Sequence, residues 1–265
     1  MRTIDLIELK KIQLDVLDVI HKFCVDNDIQ YTLGCGTMLG AVRHKGYIPW
    51  DDDIDIYFLR SEYNRLLHLF PESKDNVRIE ALERNSSWDK AYAKAYDERT
   101  VCEEDSNCKV IGVSIDLFPI DYVPRDDKKW LKYNKKRRIL KIASDLKPMN
   151  YTKDQPLLKK IELALCKMIL LPFSQRTLIN WLNKYAQKYN KSESEYVFEC
   201  CQGLLLKNKF KASAFDKYID LPFENRVYKV ISRYDEYLKA AYGDYMKLPP
   251  VEKRISHHAF HAWWK

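Results

Sequence analysis

An α+β fold is predicted for this chain of 265 residues, because its strand-like and helix-like segments occupy different parts of the sequence. Short apolar or alternating runs of strand type lie mostly before residue 120, and segments with helical periodicity dominate after it. A hydrophobic fraction of 46%, with 13% aromatic residues, excludes a disordered chain and is enough for a substantial core.

The first elements follow from the spacing of apolar residues. Apolar positions three or four residues apart between residues 5 and 27 predict one amphipathic helix. The segment "IQYTLGCG" predicts a short buried strand, and "TMLGAVR" predicts a short helix that starts after Gly36. "GYIPW" predicts a loop, because Pro49 has no amide hydrogen and disfavours a helical Ile48. The alternation in "DIDIYF" predicts a strand, followed by a helix with Ser61 as its N-cap.

The later elements are predicted in the same way. Further strands are expected around 77–82, 91–97 and 111–118. Helices are expected in the middle of the chain: a basic one from Asp126, an apolar one near 156–171 and a third from Ser174. The segment "YDEYLKAAYG" predicts a last helix that ends at Gly243 as its C-cap.

Charge is distributed unevenly along the chain. The net charge is +7, and residues 128–141, "KKWLKYNKKRRILK", hold eight Lys or Arg. Residues 51–55, in contrast, hold four Asp. A basic region together with an acidic pocket fits a polyanionic substrate, a membrane surface or nucleic acid.

Three features indicate a cytoplasmic protein. No apolar run reaches about 18 residues, the length that a membrane-spanning helix needs. The N-terminus carries charges every few residues and lacks the apolar run of a signal peptide. The seven cysteines include no CxxC pair and are expected to be reduced, in line with a reducing compartment.

Asp53 and Asp55 carry the predicted chemistry. They stand at i and i+2 of the predicted strand, so both side chains are expected on one face. Two such carboxylates repel each other unless a cation lies between them, and hard oxygen ligands suit Mg²⁺ or Mn²⁺. "GVSIDLFPID" offers Asp116 as a third carboxylate, to complete the metal site or to take the proton from an attacking hydroxyl. Asp121 competes for this role, but its position beyond Pro119 favours a structural turn residue.

A phosphate site is predicted next to the aspartates. Gly36 and Thr37 mark a turn into a helix, where amide N–H groups and the Thr hydroxyl can receive phosphate oxygens. Arg43 and Lys45 add positive charge that suits a departing phosphate. Together with the aspartates, these residues predict a metal-dependent site for nucleotide phosphates.

Three further side chains are candidates for substrate binding, each with a plainer alternative. His44 is either an acid or phosphate contact, or a loop histidine that bonds a backbone carbonyl. Lys94 stands on an alternating strand and either reaches the pocket or stays at the surface. Trp50 either lines an aromatic cage for a quaternary ammonium group or packs its loop against the core.

A basic cluster follows the Pro-Pro pair near the C-terminus. In "EKRISHH", Lys253, Arg254 and His257 lie within five residues. We expect them to close over phosphate as a C-terminal flap; the alternative is a solvated basic tail.

Three segments resemble the LicD family of phosphocholine transferases, which is related to the fukutin-type proteins. "GTMLGAVRHKGYIPWDDDIDI" resembles the long signature of the family. "SIDLFPID" resembles its second acidic motif, and "YGDYMKLPPVEKRISHH" its C-terminal motif. The resemblance runs from near residue 20 to residue 258, and the middle helices match least.

The resemblance implies a nucleotidyltransferase-like fold with a mixed sheet core. We then expect a catalytic core over 1–124, a helical insertion over 125–192 and a C-terminal part over 193–265 that completes the core and the active site. The matching positions make Gly36 and Thr37 the phosphate-binding turn, and Asp53, Asp55 and Asp116 the metal ligands.

The implied activity moves a substituted phosphate from a CDP-alcohol to a hydroxyl of a cell-surface glycan, such as teichoic acid or lipopolysaccharide, or of its lipid-linked precursor. CDP-choline is the first choice of donor, with CDP-ribitol, CDP-glycerol and CDP-ethanolamine as rivals. The acceptor attacks in line with departing CMP, Asp116 draws its proton, Arg43 steadies the phosphates, and Mg²⁺ offsets charge on the leaving group.

Two other activities compete with this one. A conventional nucleotidyltransferase would attach the nucleotide to the acceptor instead of releasing CMP, and the same metal geometry serves both reactions. A nucleic-acid-binding module on residues 128–141 is the distant alternative, because the basic residues lack the aromatic platform of single-strand binders. No nucleic-acid partner is therefore expected.

A peripheral membrane contact is also considered. Residues 156–173, "PLLKKIELALCKMILLPF", have the pattern of an interfacial helix, and residues 128–141 would attract anionic lipid. The favoured alternative is an apolar helix that packs on the core beside a solvated basic helix.

Overall fold

The computed structural model describes residues 2–103, 110–149, 156–192, 194–203, 208–255 and 260–265. The α-helices in these ranges are α1 Leu6–Asp26, α2 Cys35–Arg43, α3 Arg60–Leu69, α4 Asp127–Leu146, α5 Leu157–Leu170, α6 Gln175–Ala186 and α7 Tyr234–Tyr242. The strands are β1 Thr3–Ile4, β2 Thr32–Leu33, β3 Asp55–Leu59, β4 Val77–Glu80, β5 Ala93–Asp97, β6 Thr100–Glu103, β7 Ser114–Val123, β8 Tyr196–Glu199, β9 Phe210–Lys211, β10 Tyr218–Phe223, β11 Arg226–Ile231 and β12 His261–Trp264. The predicted α+β class is confirmed.

A mixed sheet forms the centre of the fold, with the strand order β2-β3-β7-β5-β4. β3 runs parallel to β7, and the other neighbours in this order are antiparallel. β8 pairs with the C-terminal half of β7, and β9 pairs with β8. Smaller sheets are formed by β1-β12-β6 and by the β10-β11 hairpin.

α1 and α3 pack against this sheet, α1 on β5 and β7 and α3 on β3 and β7. Asp5 is the N-cap of α1, and its carboxylate accepts a hydrogen bond from the amide of Glu8. The buried face of α1 includes Leu9, Ile12 and Ile20 at helical spacing, as predicted. The predicted C-cap of α7 is also confirmed, with Gly243 at a φ of +69°.

The boundaries around the acidic segment differ from the prediction. α2 begins at Cys35, with Gly34 as its N-cap, and therefore includes Gly36. α3 begins at Arg60 without a side-chain cap, so Ser61 is not its N-cap. The reason is that Arg60 is drawn into the interior, where it pairs with a buried carboxylate.

That carboxylate is Asp121, which was predicted to be a turn residue and instead lies inside β7. It is fully buried. Arg60 Nε donates to Asp121 Oδ1 and Arg60 Nη2 to Asp121 Oδ2, both at 2.8 Å, and Asn190 Nδ2 donates to Oδ1 at 2.6 Å. The predicted structural role of Asp121 is therefore correct, but its predicted place in a turn is wrong. The ion pair with Arg60 allows β7 to continue past Pro119 with a charged side chain inside the core.

Gly40 allows the loop after α2 to cross the helix closely. Its carbonyl oxygen accepts hydrogen bonds from the amides of His44, at 2.8 Å, and Gly46, at 3.4 Å. A Cβ at Gly40 would lie 2.4 Å from the carbonyl oxygen of Gly46. The close crossing fixes the loop that begins at His44, directly after Arg43 at the end of α2.

We expect Gly40→Ala to lower the free energy of unfolding by about 1–3 kcal/mol, because a backbone oxygen has to move to admit the methyl group. Urea unfolding monitored by circular dichroism measures the change. Gly243→Ala is the comparison: nothing lies within 4 Å of the added Cβ, so only the backbone strain of its positive φ is expected. An unchanged urea midpoint for Gly40→Ala would show that the loop can shift freely.

The middle helices form a small bundle in which α4 packs on α6 and α5. One face of the basic helix α4 is buried, and Arg137 lies in it, donating from Nη1 to the carbonyl of Cys200 at 3.2 Å. The interpretation of α5 as a helix that simply packs on the core is wrong: Leu163 is buried, but Leu158, Leu165 and Ile169 are exposed. In the described part of the chain, no helix is both long and apolar enough to span a membrane.

Candidate active site

Two aspartates stand opposite each other at the centre of the sheet. In the parallel pairing of β3 and β7, Asp55 is the register partner of Asp116. The amide of Asp116 donates to the carbonyl of Ile54 at 2.8 Å, which fixes this register where β3 begins. Adjacent residues in register point to the same face of the sheet, so the two carboxylates share one side.

Thr37 and Gly34 hold the backbone of Asp55 from both ends. The Asp55 amide donates to Thr37 Oγ1 at 2.8 Å, and its carbonyl accepts from the Gly34 amide, also at 2.8 Å. Thr37 is buried. The phosphate contact of Thr37 stays a prediction, and the structure adds a positioning contact that ties the first turn of α2 to the start of β3.

A third carboxylate, Asp53, lies before β3 and not on a strand, which differs from the predicted i, i+2 pair. Burial raises the pKa of Asp55 well above its ordinary value, and the charges of Asp53 and Asp116 raise it further. A hydrogen bond from Cys35 acts in the opposite direction. The three carboxylates therefore share one electrostatic environment, although a loop and not strand alternation brings Asp53 there.

Lys94 supplies a positive charge to this group. It is the register partner of Asp116 across the antiparallel β5–β7 pair, and it is buried. Its Nζ lies 3.0 Å from Asp116 Oδ1 and 3.5 Å from Ser114 Oγ. Of the two predicted positions for Lys94, the structure favours the pocket over the surface.

The chemistry of these residues fits a divalent cation. Asp53, Asp55 and Asp116 offer hard oxygen donors, and the raised pKa of Asp55 reflects its burial and, after that, repulsion that a cation would relieve. Within the described ranges, no group of three or more His, Cys, Asp or Glu side chains is already arranged at metal-binding distances. The metal site therefore stays a prediction based on charge and ligand type.

Gly36 brings a fourth aspartate close to α2. A Cβ at this glycine would lie 2.6 Å from Asp51 Oδ2, so a larger residue would make the Asp51 carboxylate turn away from the first helical turn. The charge of Asp51 also contributes to raising the pKa of Asp55. A negative group thus occupies the place next to Gly36 where a phosphate contact is predicted.

Cys35 is a site residue that the sequence did not reveal. It has a φ of +40°, in the left-handed region that is strained for a residue other than glycine. Its Sγ lies 2.7 Å from Tyr57 Oη, and Tyr57 Oη lies 3.1 Å from Tyr237 Oη. Burial and the Asp55 charge raise the pKa of the Cys35 thiol well above its ordinary value, so the thiol stays protonated as a donor. The cysteine between two glycines was the only available signal.

Gln13 is a second residue that was missed. This buried side chain of α1 donates from Nε2 to the carbonyl of Asp52 at 2.9 Å and to the carbonyl of Ser114 at 3.3 Å. Its Oε1 accepts from Tyr47 Oη at 3.0 Å. It thereby joins the acidic loop to β7. A polar residue on the apolar face of the first helix was the signal that could have indicated it.

A basic and aromatic cluster adjoins the acidic loop in the chain, since Trp50 directly precedes Asp51. The cluster consists of Arg43, His44, Trp50 and Arg254. Arg43 Nη1 donates to the carbonyl of Tyr245 at 2.7 Å, and Arg43 Nε to His44 Nε2 at 2.9 Å. The Arg254 guanidinium lies over the Trp50 ring, 5.6 Å from its centroid, and the His44 ring meets the same indole edge-on at 6.3 Å. Trp50 is half-buried and packs against the core as well.

Electrostatics link this cluster to the carboxylates through Tyr242. Burial is the largest cause that raises the pKa of Tyr242, and the charge of Asp55 adds to it. Burial lowers the pKa of Arg43, and Tyr242 acts against that change. Burial, followed by the charge of Arg43, lowers the pKa of His44, so this imidazole is neutral at pH 7 and can accept the Arg43 hydrogen bond.

The other predicted binding residues, Lys45, Lys253 and His257, have no described contact with the aspartates or with the basic and aromatic cluster. Lys45 has an exposed side chain, and its carbonyl accepts from the amide of Glu224 at 2.7 Å. Lys253 is exposed in a short 3₁₀ helix, Val251–Lys253. Of the predicted C-terminal flap, Arg254 therefore reaches the cluster, and His257 lies outside the described residues.

Comparisons with known proteins agree with the resemblance. Residues 28–155 match the model of the LicD/FKTN/FKRP nucleotidyltransferase domain. The chain is 33% identical over 273 residues to the lipopolysaccharide cholinephosphotransferase LicD of Haemophilus influenzae, covering 99% of each protein. Shorter matches are to an uncharacterized protein of Rickettsia prowazekii, 38% identical over 27% of this chain and 25% of the relative, and to one of Rickettsia typhi, 41% identical over 20% and 18%. The chain belongs to the LicD family and is a transferase of phosphorus-containing groups.

Proposed function

We propose that the protein transfers phosphocholine from CDP-choline to a hydroxyl group of a lipopolysaccharide-type glycan or its lipid-linked precursor, with release of CMP. The whole-length similarity to a lipopolysaccharide cholinephosphotransferase supports the transferred group and the acceptor. The observation that carries the proposal is the pairing of Asp55 with Asp116 on parallel strands, with Lys94 on Asp116. A basic cluster near the carboxylates suits a diphosphate donor, because its positive charge stabilises the phosphates.

In the proposed reaction the acceptor hydroxyl attacks the phosphorus that carries choline, in line with the departing CMP. Asp116 takes the hydroxyl proton, and Lys94 holds the carboxylate of Asp116 in place. Arg43, positioned by the carbonyl of Tyr245, carries positive charge to the phosphates. Asp53, Asp55 and Asp116 would hold Mg²⁺ or Mn²⁺, which supplies charge neutralisation at the diphosphate when bound.

Product analysis tests the activity. The purified protein is incubated with CDP-choline, Mg²⁺ and a choline-free lipopolysaccharide acceptor, and the products are separated by chromatography and mass spectrometry. Free CMP together with an acceptor that gains phosphocholine is expected. An acceptor that gains the nucleotide would support a nucleotidyltransferase instead. A thermal-shift screen with CDP-choline, CDP-ribitol, CDP-glycerol and CDP-ethanolamine identifies the donor, because a ligand that binds the native state raises its stability.

We expect Lys94→Gln to lower the initial rate of CMP release by about 10²–10³-fold, the range for loss of one hydrogen-bond donor at a reacting centre. The physical reason is that Asp116 loses the buried ammonium group that holds it, 3.0 Å away. Lys94→Arg is the matched control, because it keeps the positive charge and should retain more of the rate. Equal losses in both variants would show that the charge is not what matters at this position.

A further inference from the structure

α5 presents a continuous apolar stripe to solvent. The stripe consists of Leu158, Ile161, Leu165, Met168 and Ile169, whose exposed fractions are 76%, 47%, 51%, 58% and 72%. With 100° per residue, all five lie on the side of the helix opposite the buried Leu163. Leu171, just beyond the helix, is 70% exposed. A surface stripe of this length differs from the singly scattered apolar residues of ordinary protein surfaces.

The neighbouring helix α4 adds both apolar and basic residues to this region. Its buried face contains Trp130, Tyr133 and Arg137. The opposite face, which we call the basic face, exposes the apolar side chains Leu131, Ile139 and Ile142 between the cations Lys128, Lys132, Lys135 and Arg138. The C-terminal ends of the two helices are joined, since Lys147 Nζ donates to the carbonyl of Leu170 at 2.9 Å.

We propose that the α5 stripe and the basic face of α4 form a docking surface for an anionic lipid bilayer. The stripe would enter the boundary between headgroups and acyl chains, and the basic face would attract the anionic headgroups. Residues 128–141 hold eight basic and no acidic residues, and six of the basic side chains are exposed, which gives this helix a strong charge complementarity with such a surface.

The positive charge of α4 also distinguishes between the molecules that could cover this surface. A second copy of the chain would bring one basic α4 against another, and like charges at an interface oppose association. A nucleic acid would match the charge but leave the aliphatic stripe in water, since the stripe has no aromatic ring on which bases could stack. An anionic bilayer matches the charge and covers the stripe, so it is the one occupant that satisfies both parts of the surface.

Vesicle flotation tests the proposal with the full-length protein. We expect flotation with vesicles of phosphatidylglycerol and phosphatidylcholine at low salt, and little flotation with phosphatidylcholine alone or at high salt. Leu165→Glu combined with Ile169→Glu should lower the bound fraction at least about tenfold, because two charged groups would have to enter the bilayer boundary. Ile7→Glu combined with Val25→Glu is the matched control: both residues are exposed on α1, at 83% and 56%, away from the stripe.

A second pair of variants tests the charge. Lys135→Gln combined with Arg138→Gln should lower the partition coefficient for anionic vesicles about 30-fold, which corresponds to about 1 kcal/mol for each basic residue near an anionic surface. Lys11→Gln combined with Lys22→Gln, which changes two exposed lysines of α1, should leave it unaffected. Light scattering tests whether a second copy of the chain covers the stripe instead. A dimer that Leu165→Glu with Ile169→Glu converts to a monomer would overturn the proposal. Failure of the parent protein to float would overturn it as well.

Discussion

Replacing Asp55 by Asn is expected to abolish transfer while leaving the protein folded and more stable. The loss of rate should be about 10³-fold, because the variant lacks a carboxylate that would hold the divalent cation needed at the diphosphate. The backbone contacts of Asp55 to Thr37 and Gly34 do not involve its carboxylate, so they remain. CMP release at saturating Mg²⁺ measures the effect, and a rate above about a tenth of the parent rate would contradict the metal assignment.

The expected gain in stability follows from the raised pKa of Asp55. Burial, Asp53 and Asp116 make the folded state bind the Asp55 proton more tightly than the unfolded state does. The metal-free parent protein therefore loses stability as pH rises above about 4, the ordinary pKa of an Asp, until the raised pKa is passed. Asp55→Asn does not have this loss. Its thermal midpoint in the absence of metal should exceed that of the parent at pH 7 and approach it in acid.

Asp52→Asn is the neighbouring control. Asp52 is buried, and its backbone is tied to α1 because its carbonyl accepts a hydrogen bond from Gln13. We expect this variant to keep most of the rate. Asp116→Asn, in contrast, should be impaired as severely as Asp55→Asn. Normal turnover of Asp116→Asn would remove this carboxylate from the reaction.

Local sequence signals predicted the elements that depend on neighbouring residues. The spacing in α1 reflects one buried helix face, and Gly243 ends α7 because it takes a positive φ. The acidic motifs identified Asp55 and Asp116, but their pairing depends on the parallel register of β3 and β7, which join residues 61 positions apart. Nothing in either segment alone specifies that register.

The contacts that sequence reasoning missed are of long range. Gln13 bonds to the carbonyl of Ser114, 101 residues later in the chain, and Arg43 to the carbonyl of Tyr245, 202 residues later. Asp121 was assigned to a turn because Pro119 precedes it, and the buried partner that keeps it in a strand lies 61 residues earlier. Pairing of this kind is decided by tertiary structure, which local propensity does not reflect.

Breaking the buried pair of Arg60 and Asp121 should cause the largest loss of stability. Arg60 is 5% exposed and Asp121 0%. Burial lowers the pKa of Arg60, but the charge and hydrogen bonds of Asp121 more than offset it, so the net shift is upward and the guanidinium stays charged. Asp121→Asn leaves this charge in the core without a counter-charge. We expect the free energy of unfolding to fall by about 3–5 kcal/mol, measured by urea unfolding at pH 7.

Two comparisons separate the ion pair from a general effect of substitution at this position. Arg60→Met combined with Asp121→Leu removes both charges and should be less destabilised than the sum of the two single variants, since neither charge is left unpaired. Lys141→Gln breaks a half-exposed pair with Asp145 on α4 and should change the urea midpoint little. Unfolding of Asp121→Asn at the same urea concentration as the parent would contradict this prediction. It would mean that water or another group stabilises the Arg60 charge, and that the ion pair is not needed to hold α3 on β7.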